Sequence, residues 1–433
     1  MVNNEVSLIK KNFFKICLLA FAGSIIYGLP YFRYYYYDAY LAAYSLTNAQ
    51  MGTLGSAFGL LGLLSYLVGG VLADKFPAKG LLIFSLVATG LGGILHIILP
   101  TYTALVIIYG LWGITSLLTF WPALMKIIRM QASDKEQGRA YGLFEGGRGV
   151  VNAVHMALAT AIFGYFQSQA AAALGLKWII IFYSAAPILC GLLFFFVLDN
   201  PQPECKTKQP DAEKKSDIKS LVSDIVTVMK MPAVWLACVI TCTTYTFNLS
   251  YFYFTPYATN ILGTSAVFAA VLTVLAQYCR PVASPFGGFM ADRAGKAKVM
   301  FWGFVAMGLC TFMIMNLPKI PYQSYVLVAL CLLLYFAMYS NFGIYFSLLS
   351  EGGVPIRYAG TAIGLVSTLG YLPEILCPLF AGKLLDKYPG AQGYTIYFTG
   401  IIVVAVVGAL ASAIWVKCFA PKKASVAETV SEA

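Results

Sequence analysis

Twelve apolar stretches of about 20 residues or more divide this chain, and each is long enough to cross a hydrocarbon core about 30 Å thick. They fall at 13–43, 51–73, 80–100, 103–128, 139–166 and 177–197, and then at 232–260, 265–290, 298–317, 322–349, 358–385 and 392–416. Over 433 residues, 60% are apolar and 11% charged, where a soluble chain carries roughly a quarter charged residues. The surplus apolar surface has to face lipid, so the lipid bilayer is the first partner the sequence implies. The expected fold class is an all-α membrane protein with twelve transmembrane helices, because in lipid each segment must satisfy its own backbone hydrogen bonds.

The hydrophilic stretch 198–230 separates six spans from six. This predicts an N-terminal six-helix bundle over 1–197, a cytoplasmic linker over 198–230, a C-terminal six-helix bundle over 231–417 and a cytoplasmic tail over 418–433. The distribution of basic residues orients the chain. With the N-terminus in the cytoplasm, Lys177, Lys319, Lys383 and Lys387 lie outside, and Arg33, Arg148 and Arg280 lie within the membrane. All other Lys and Arg fall on cytoplasmic segments. The net charge of +11 is thereby accounted for by topology, and no nucleic-acid partner is expected. The first span is longer than a signal peptide and lacks its cleavage pattern, so it reads as a retained helix.

The two halves repeat. Gly70-Val-Leu-Ala-Asp74-Lys75 recurs 218 residues later as Gly288-Phe-Met-Ala-Asp292-Arg293, and at the same offset Arg139 and Gly142 correspond to Arg357 and Gly360. Two matches at one spacing indicate internal duplication and hence two pseudo-symmetric bundles.

These residues carry a resemblance. Gly70-x-x-x-Asp74-Lys75 and Gly288-x-x-x-Asp292-Arg293-x-Gly295-Lys296 resemble the signature loop of the major facilitator superfamily, although Pro77 stands where the pattern of the first copy has glycine. The resemblance implies the major facilitator fold and a gating role for Gly70, Asp74, Lys75, Gly288, Asp292, Arg293, Arg139 and Arg357. Glycine lets neighbouring helices approach, and the aspartates would hold the halves together on the cytoplasmic side. Three short elements are similar to the organophosphate/anion antiporter branch: Pro30-Tyr31-Phe32-Arg33, Trp121-Pro122 with Lys126, and the fifth span, where Arg148 stands at the substrate-contacting position. The branch's second arginine is missing, since the offset takes Arg33 to Tyr251. Arg280 is the nearest candidate and resembles the anion-binding arginine of nitrate/nitrite transporters. The resemblance also implies a bacterial inner membrane and a chain acting as a monomer.

Ionisable groups at membrane depth are costly and mark a pathway or a partner. On the fifth span Glu145, Arg148, Asn152 and His155 fall within an arc of about 80° and form one polar stripe. Arg280 lies twelve residues before Asp292, about 18 Å from the cytoplasmic surface. Its planar fork suits carboxylate, phosphate or sulfonate. Arg33, Arg148 and Arg280 against Glu145 and Glu374 predict a positive cavity for a small anionic substrate. Tyr27, Tyr31, Tyr245, Tyr251, Asn152, Asn248 and Lys126 are further substrate-binding candidates. Glu374, Glu145 and His155 are candidates for proton coupling, with counter-transport of a second anion as the other route. His96 reads as interfacial.

The resulting expectation is a secondary transporter of a small organic anion working by alternating access. A proton-linked carrier of neutral or cationic compounds, including drug efflux, remains an alternative, as does a non-transporting membrane sensor. The histidines are too far apart to assemble a catalytic centre, no metal-ligand spacing occurs, and no cofactor or nucleotide loop is present, so no enzyme is expected.

Overall fold

The computed structural model describes residues 8–131, 137–198, 218–318, 320–355 and 358–419. Twelve rods account for nearly all of them. The first, α1, runs Leu8–Ile25, bends by 49° into Gly28–Tyr35 and continues as Tyr37–Tyr44. Then follow α2 (Asn48–Lys75), α3 (Ala78–Ile98), α4 (Tyr102–Arg129), α5 (Gln137–Ser168) and α6 (Ala172–Val197). A short helix, Ile218–Met229, precedes the second half. That half comprises α7 (Pro232–Asn260), α8 (Ala266–Ala294), α9 (Lys296–Met315), α10 (Gln323–Glu351), α11 (Ala359–Gly370 and Pro373–Lys387) and α12 (Ala391–Cys418). The chain is a multi-pass, all-α membrane protein.

Proline sets where the rods break. The Pro30 ring would meet the carbonyl of residue 26 in a straight helix, and α1 bends at that point. Pro256 acts likewise on α7, whose turn Tyr251–Tyr253 is a 3-10 helix. In α4 a π-helical segment, Ile114–Phe120, runs up to Trp121-Pro122. These interruptions sit beside the central cavity, where freed backbone groups are not exposed to lipid.

Packing within each half follows the duplication. Helix α1 packs on α5 as α7 packs on α11; α2 on α4 as α8 on α10; and α3 on α6 as α9 on α12. The halves meet along two seams, α2 against α11 and α5 against α8. The α2–α11 seam is made by backbone approach. A Cβ at Gly52 would collide with the Pro378 carbonyl, one at Gly382 with the Asn48 carbonyl, and one at Gly59 would lie 2.8 Å from Glu374.

One face of the molecule, where α2 begins and α11 ends, is closed by polar clasps between the halves. Asp386 at the end of α11 accepts from the backbone N–H groups of Asn48 (2.9 Å) and Ala49 (2.7 Å) and from Asn48 Nδ2 (2.8 Å), capping the start of α2. In the opposite sense, Asp38 of α1 accepts from Thr259 Oγ1 and from Asn260 Nδ2 (2.9 Å) of α7. Beneath them Tyr34 stacks on Phe252 at 4.5 Å.

The signature loops correct one expectation. Gly288 faces open space, and it is Gly287 whose missing Cβ admits Ser340 of α10, at 2.5 Å. Asp292 and Arg293 are exposed, and the Arg293 guanidinium lies over Phe289 at 4.1 Å. Gly70, Asp74 and Lys75 lie on α2 and Arg139 on α5, but their side chains are outside the described residues, as is Arg357 altogether. His96 is no interfacial residue. It is fully buried, between Tyr40 (2.8 Å) and Tyr44 (3.0 Å), with its ring stacked on Trp112.

The seam yields a first prediction. Gly52→Ala has to push α11 away, at about 1–3 kcal/mol by analogy with other overpacked sites. Thermal unfolding followed by tryptophan fluorescence should show a lower midpoint than for Gly80→Ala, whose added Cβ meets nothing within 4 Å. Equal midpoints would show that the seam tolerates separation.

Candidate substrate cavity

A cavity of about 600 Å³ lies between the halves, walled by α1, α4 and α5 on one side and by α7, α8, α10 and α11 on the other. Its volume is in the range of small-molecule sites. Nine of its lining residues are candidates from the sequence: Tyr27, Tyr31, Arg148, Asn152, His155, Tyr245, Asn248, Tyr251 and Arg280.

On the α5 wall the polar stripe is tied down before any ligand arrives. Arg148 pairs with Glu145 (Nη1 to Oε1, 2.9 Å), donates from Nε to the Gly23 carbonyl (3.0 Å) and lies over the Trp121 ring at 4.9 Å. Asn152 Oδ1 accepts from Ser24 Oγ and from His155 Nε2 (3.1 Å). His155 Nδ1 then accepts from the Tyr183 hydroxyl (3.1 Å), which fixes the tautomer and leaves the Asn152 amide N–H₂ for the cavity. Glu145 is not a lining residue; 48% of its side chain is exposed.

The opposite wall differs. Arg280 lies 5.8 Å from the Tyr339 ring centre and 5.7 Å from that of Phe342. Among the described residues the ion pair at the cavity is Arg148–Glu145, and no carboxylate is within pairing distance of Arg280. One turn earlier Gln277 donates to the hydroxyls of Tyr251 (2.9 Å) and Tyr339 (3.3 Å). Gln277, Tyr339 and Tyr371 were not expected; Gln277 was legible as the i−3 neighbour of Arg280.

Two candidates lie elsewhere. Arg33 is 1% exposed and is not a lining residue. Its guanidinium is sandwiched between Tyr34 (4.1 Å) and Tyr109 (4.5 Å) inside the first bundle, donating to the Pro30 carbonyl. The reason is helical geometry: two residues beyond the cavity-facing Tyr31 is about 200° around the helix. Lys126 is half-buried further along α4 and also does not line the cavity.

Glu374 begins the second segment of α11, just after the break and Pro373. It lies in a small side pocket that shares Tyr31, Tyr245, Tyr371 and Leu117 with the main cavity. Its carboxylate accepts from Tyr31 of the first half (2.8 Å) and from Tyr245 of the second. Tyr31 and Tyr245 therefore give their hydroxyls to this carboxylate rather than holding them free for a ligand.

Residues 16–378 match the Major Facilitator Superfamily. The chain belongs to this superfamily. It is 30% identical to the inner membrane protein YihN of Escherichia coli over 96% of this chain and 98% of that one. It is 28% identical to the inner membrane protein YqcE of the same organism over 88% of each. In fold it is similar to a bacterial homologue of the lysosomal transporter Spinster solved in an inward-facing, unoccupied conformation, with a TM-score of 0.74 and 15% identity over 97% of this chain and all of that one. The chain is thus a transporter of small molecules that works by alternating access.

A second prediction separates the two arginine environments. Arg33→Met retains length and apolar contact, so it should change thermal stability while leaving ligand affinity within about twofold; truncations that remove charged hydrogen bonds typically cost about 1.5–3 kcal/mol. A ligand affinity reduced tenfold or more in this variant would return Arg33 to the site.

Proposed function

We propose that this transporter carries a small organic anion, phosphorylated, sulfonated or carboxylated, and that uptake is coupled to a proton bound at Glu374. The observation that carries the reading is Arg280, a guanidinium on the cavity wall that, among the described residues, meets aromatic faces and no carboxylate. Arg148 and Glu145 neutralise each other. Beyond that pair stand Arg280 on the cavity wall and Glu374, with Arg33 a fixed positive charge inside the first bundle. Protonating Glu374 makes the region more positive by one charge and strengthens its attraction for an anion, so proton and anion favour each other's binding. Exchange for a second anion uses the same cavity without moving the proton.

The clasped face is external in the orientation given by the basic residues, with both termini cytoplasmic, so the conformation is the inward-facing one. Residues 1–197 and 231–417 then rock as two bodies about the seams. The names of the two Escherichia coli relatives support an inner-membrane location. The bonded stripe of Asn152 and His155, with Asn248, Gln277 and the tyrosine rings, orients the body of the solute.

The test is a thermal-shift screen of purified protein against phosphorylated, sulfonated and carboxylated metabolites, followed by uptake into proteoliposomes. Arg280→Ala should weaken binding of a stabilising anion by about 10- to 100-fold, as expected when a charge-assisted contact is removed. Stabilisation by neutral or cationic compounds alone, with Arg280→Ala unaffected, would contradict the reading. Glu374→Gln should abolish accumulation driven by a pH gradient and retain anion exchange; an unchanged pH dependence would exclude Glu374 as the proton carrier.

A further inference from the structure

The hydrogen bonds to Glu374 come from both halves, and this asymmetry has a mechanical consequence. Tyr245 lies on α7, which packs on α11 within the second half, so its bond to Glu374 travels with that half. Tyr31 belongs to the first half, and its 2.8 Å bond crosses between the two. The carboxylate is closed in from behind by α2, where Gly59 has no Cβ to hold the helices apart. Glu374 is 8% exposed.

We infer that Tyr31 is a positioning residue for coupling: its hydroxyl holds the halves together at α11 while Glu374 is unprotonated and releases them when the carboxyl gains a proton. The inference rests on the reading of Glu374 as the proton site and adds the element that reports its state across the seam. A carboxylate offers two acceptor oxygens, one for each tyrosine. A proton placed on one of them converts that oxygen to a donor and weakens it as an acceptor, so one of the two tyrosine bonds is lost or reversed. The bond within the second half is retained by packing, and the crossing bond is the one given up. The other titratable or charged groups facing Glu374 are Tyr27 and Tyr34 of α1, Tyr371 and Cys377 of α11, and Arg33 of α1. Arg33 approaches α2 at Gly55, one turn from Gly59. The Tyr31 ring packs edge-on to Phe58 at 5.5 Å and parallel to Phe252 at 6.0 Å, so Tyr31→Phe keeps its aromatic contacts and loses only the hydroxyl.

The experiment needs no identified substrate. Spin labels at Ala43→Cys and Gln392→Cys, exposed positions on the clasped face and on opposite halves, are introduced into full-length protein with Cys17, Cys205 and Cys418 replaced. Distance distributions are recorded at pH 5.5 and pH 8 by double electron–electron resonance. In the parent protein acidification should raise the separated population relative to the clasped one by on the order of tenfold, the effect of losing one hydrogen bond to a charged group. Tyr31→Phe should show the separated population at both pH values, and Glu374→Gln should do the same. Tyr31→Phe with the parent's full pH response, while Glu374→Gln has lost it, overturns the role of Tyr31 and leaves Glu374 as the proton site. A pH response that survives in Glu374→Gln, or is absent from the parent protein, overturns both.

Discussion

The contact on which the rest of this structure depends is the backbone approach of α2 to α11. Gly52, Gly59 and Gly382 bring the two helices together without intervening side chains. That approach places the start of α2 within reach of Asp386, which caps it, and it walls in Glu374. The clasped face and the enclosed carboxylate follow from one seam. The Tyr31 bond satisfies the buried Glu374 carboxylate across it, where an unpaired charge would be costly, whereas the Asp386 cap lies at the exposed end of the seam.

Charge is distributed in the same economical way. Arg33 is held by two tyrosine faces and a carbonyl, and Arg148 by a carboxylate, a carbonyl and an indole ring. Among the described residues, the close contacts of Arg280 are the ring faces of Tyr339 and Phe342. Cation–π contacts tolerate a guanidinium without consuming its five N–H donors. Of the three arginines, Arg280 is therefore the one whose donors remain available to a solute.

Much of the architecture was legible in the sequence, because lipid forces apolar spans to be helical and duplication forces corresponding helices to pack alike. The pairing of α2 with α4 and of α8 with α10 follows from that repeat. The α5 stripe was legible because α5 runs unbroken from Gln137 to Ser168, so angular spacing predicts its cavity face. Arg33 was misjudged through its position in a tyrosine-rich run, although spacing from Tyr31 already turned it away. The partners of Glu374 were not legible, since a bond between residues 31 and 374 depends on how two bundles lean together. Nor did the sequence distinguish Gly287 from Gly288, because a one-residue difference rotates the contact by about 100°.

The central claim is that one uncompensated guanidinium selects an anion. Isothermal titration calorimetry of the purified transporter against its best stabilising anion, and against an uncharged isostere of that anion, tests this most directly. The account predicts that the anion binds, that its isostere binds at least about tenfold more weakly, and that Arg280→Ala removes the difference. Equal affinity for anion and isostere, unchanged in Arg280→Ala, would contradict it.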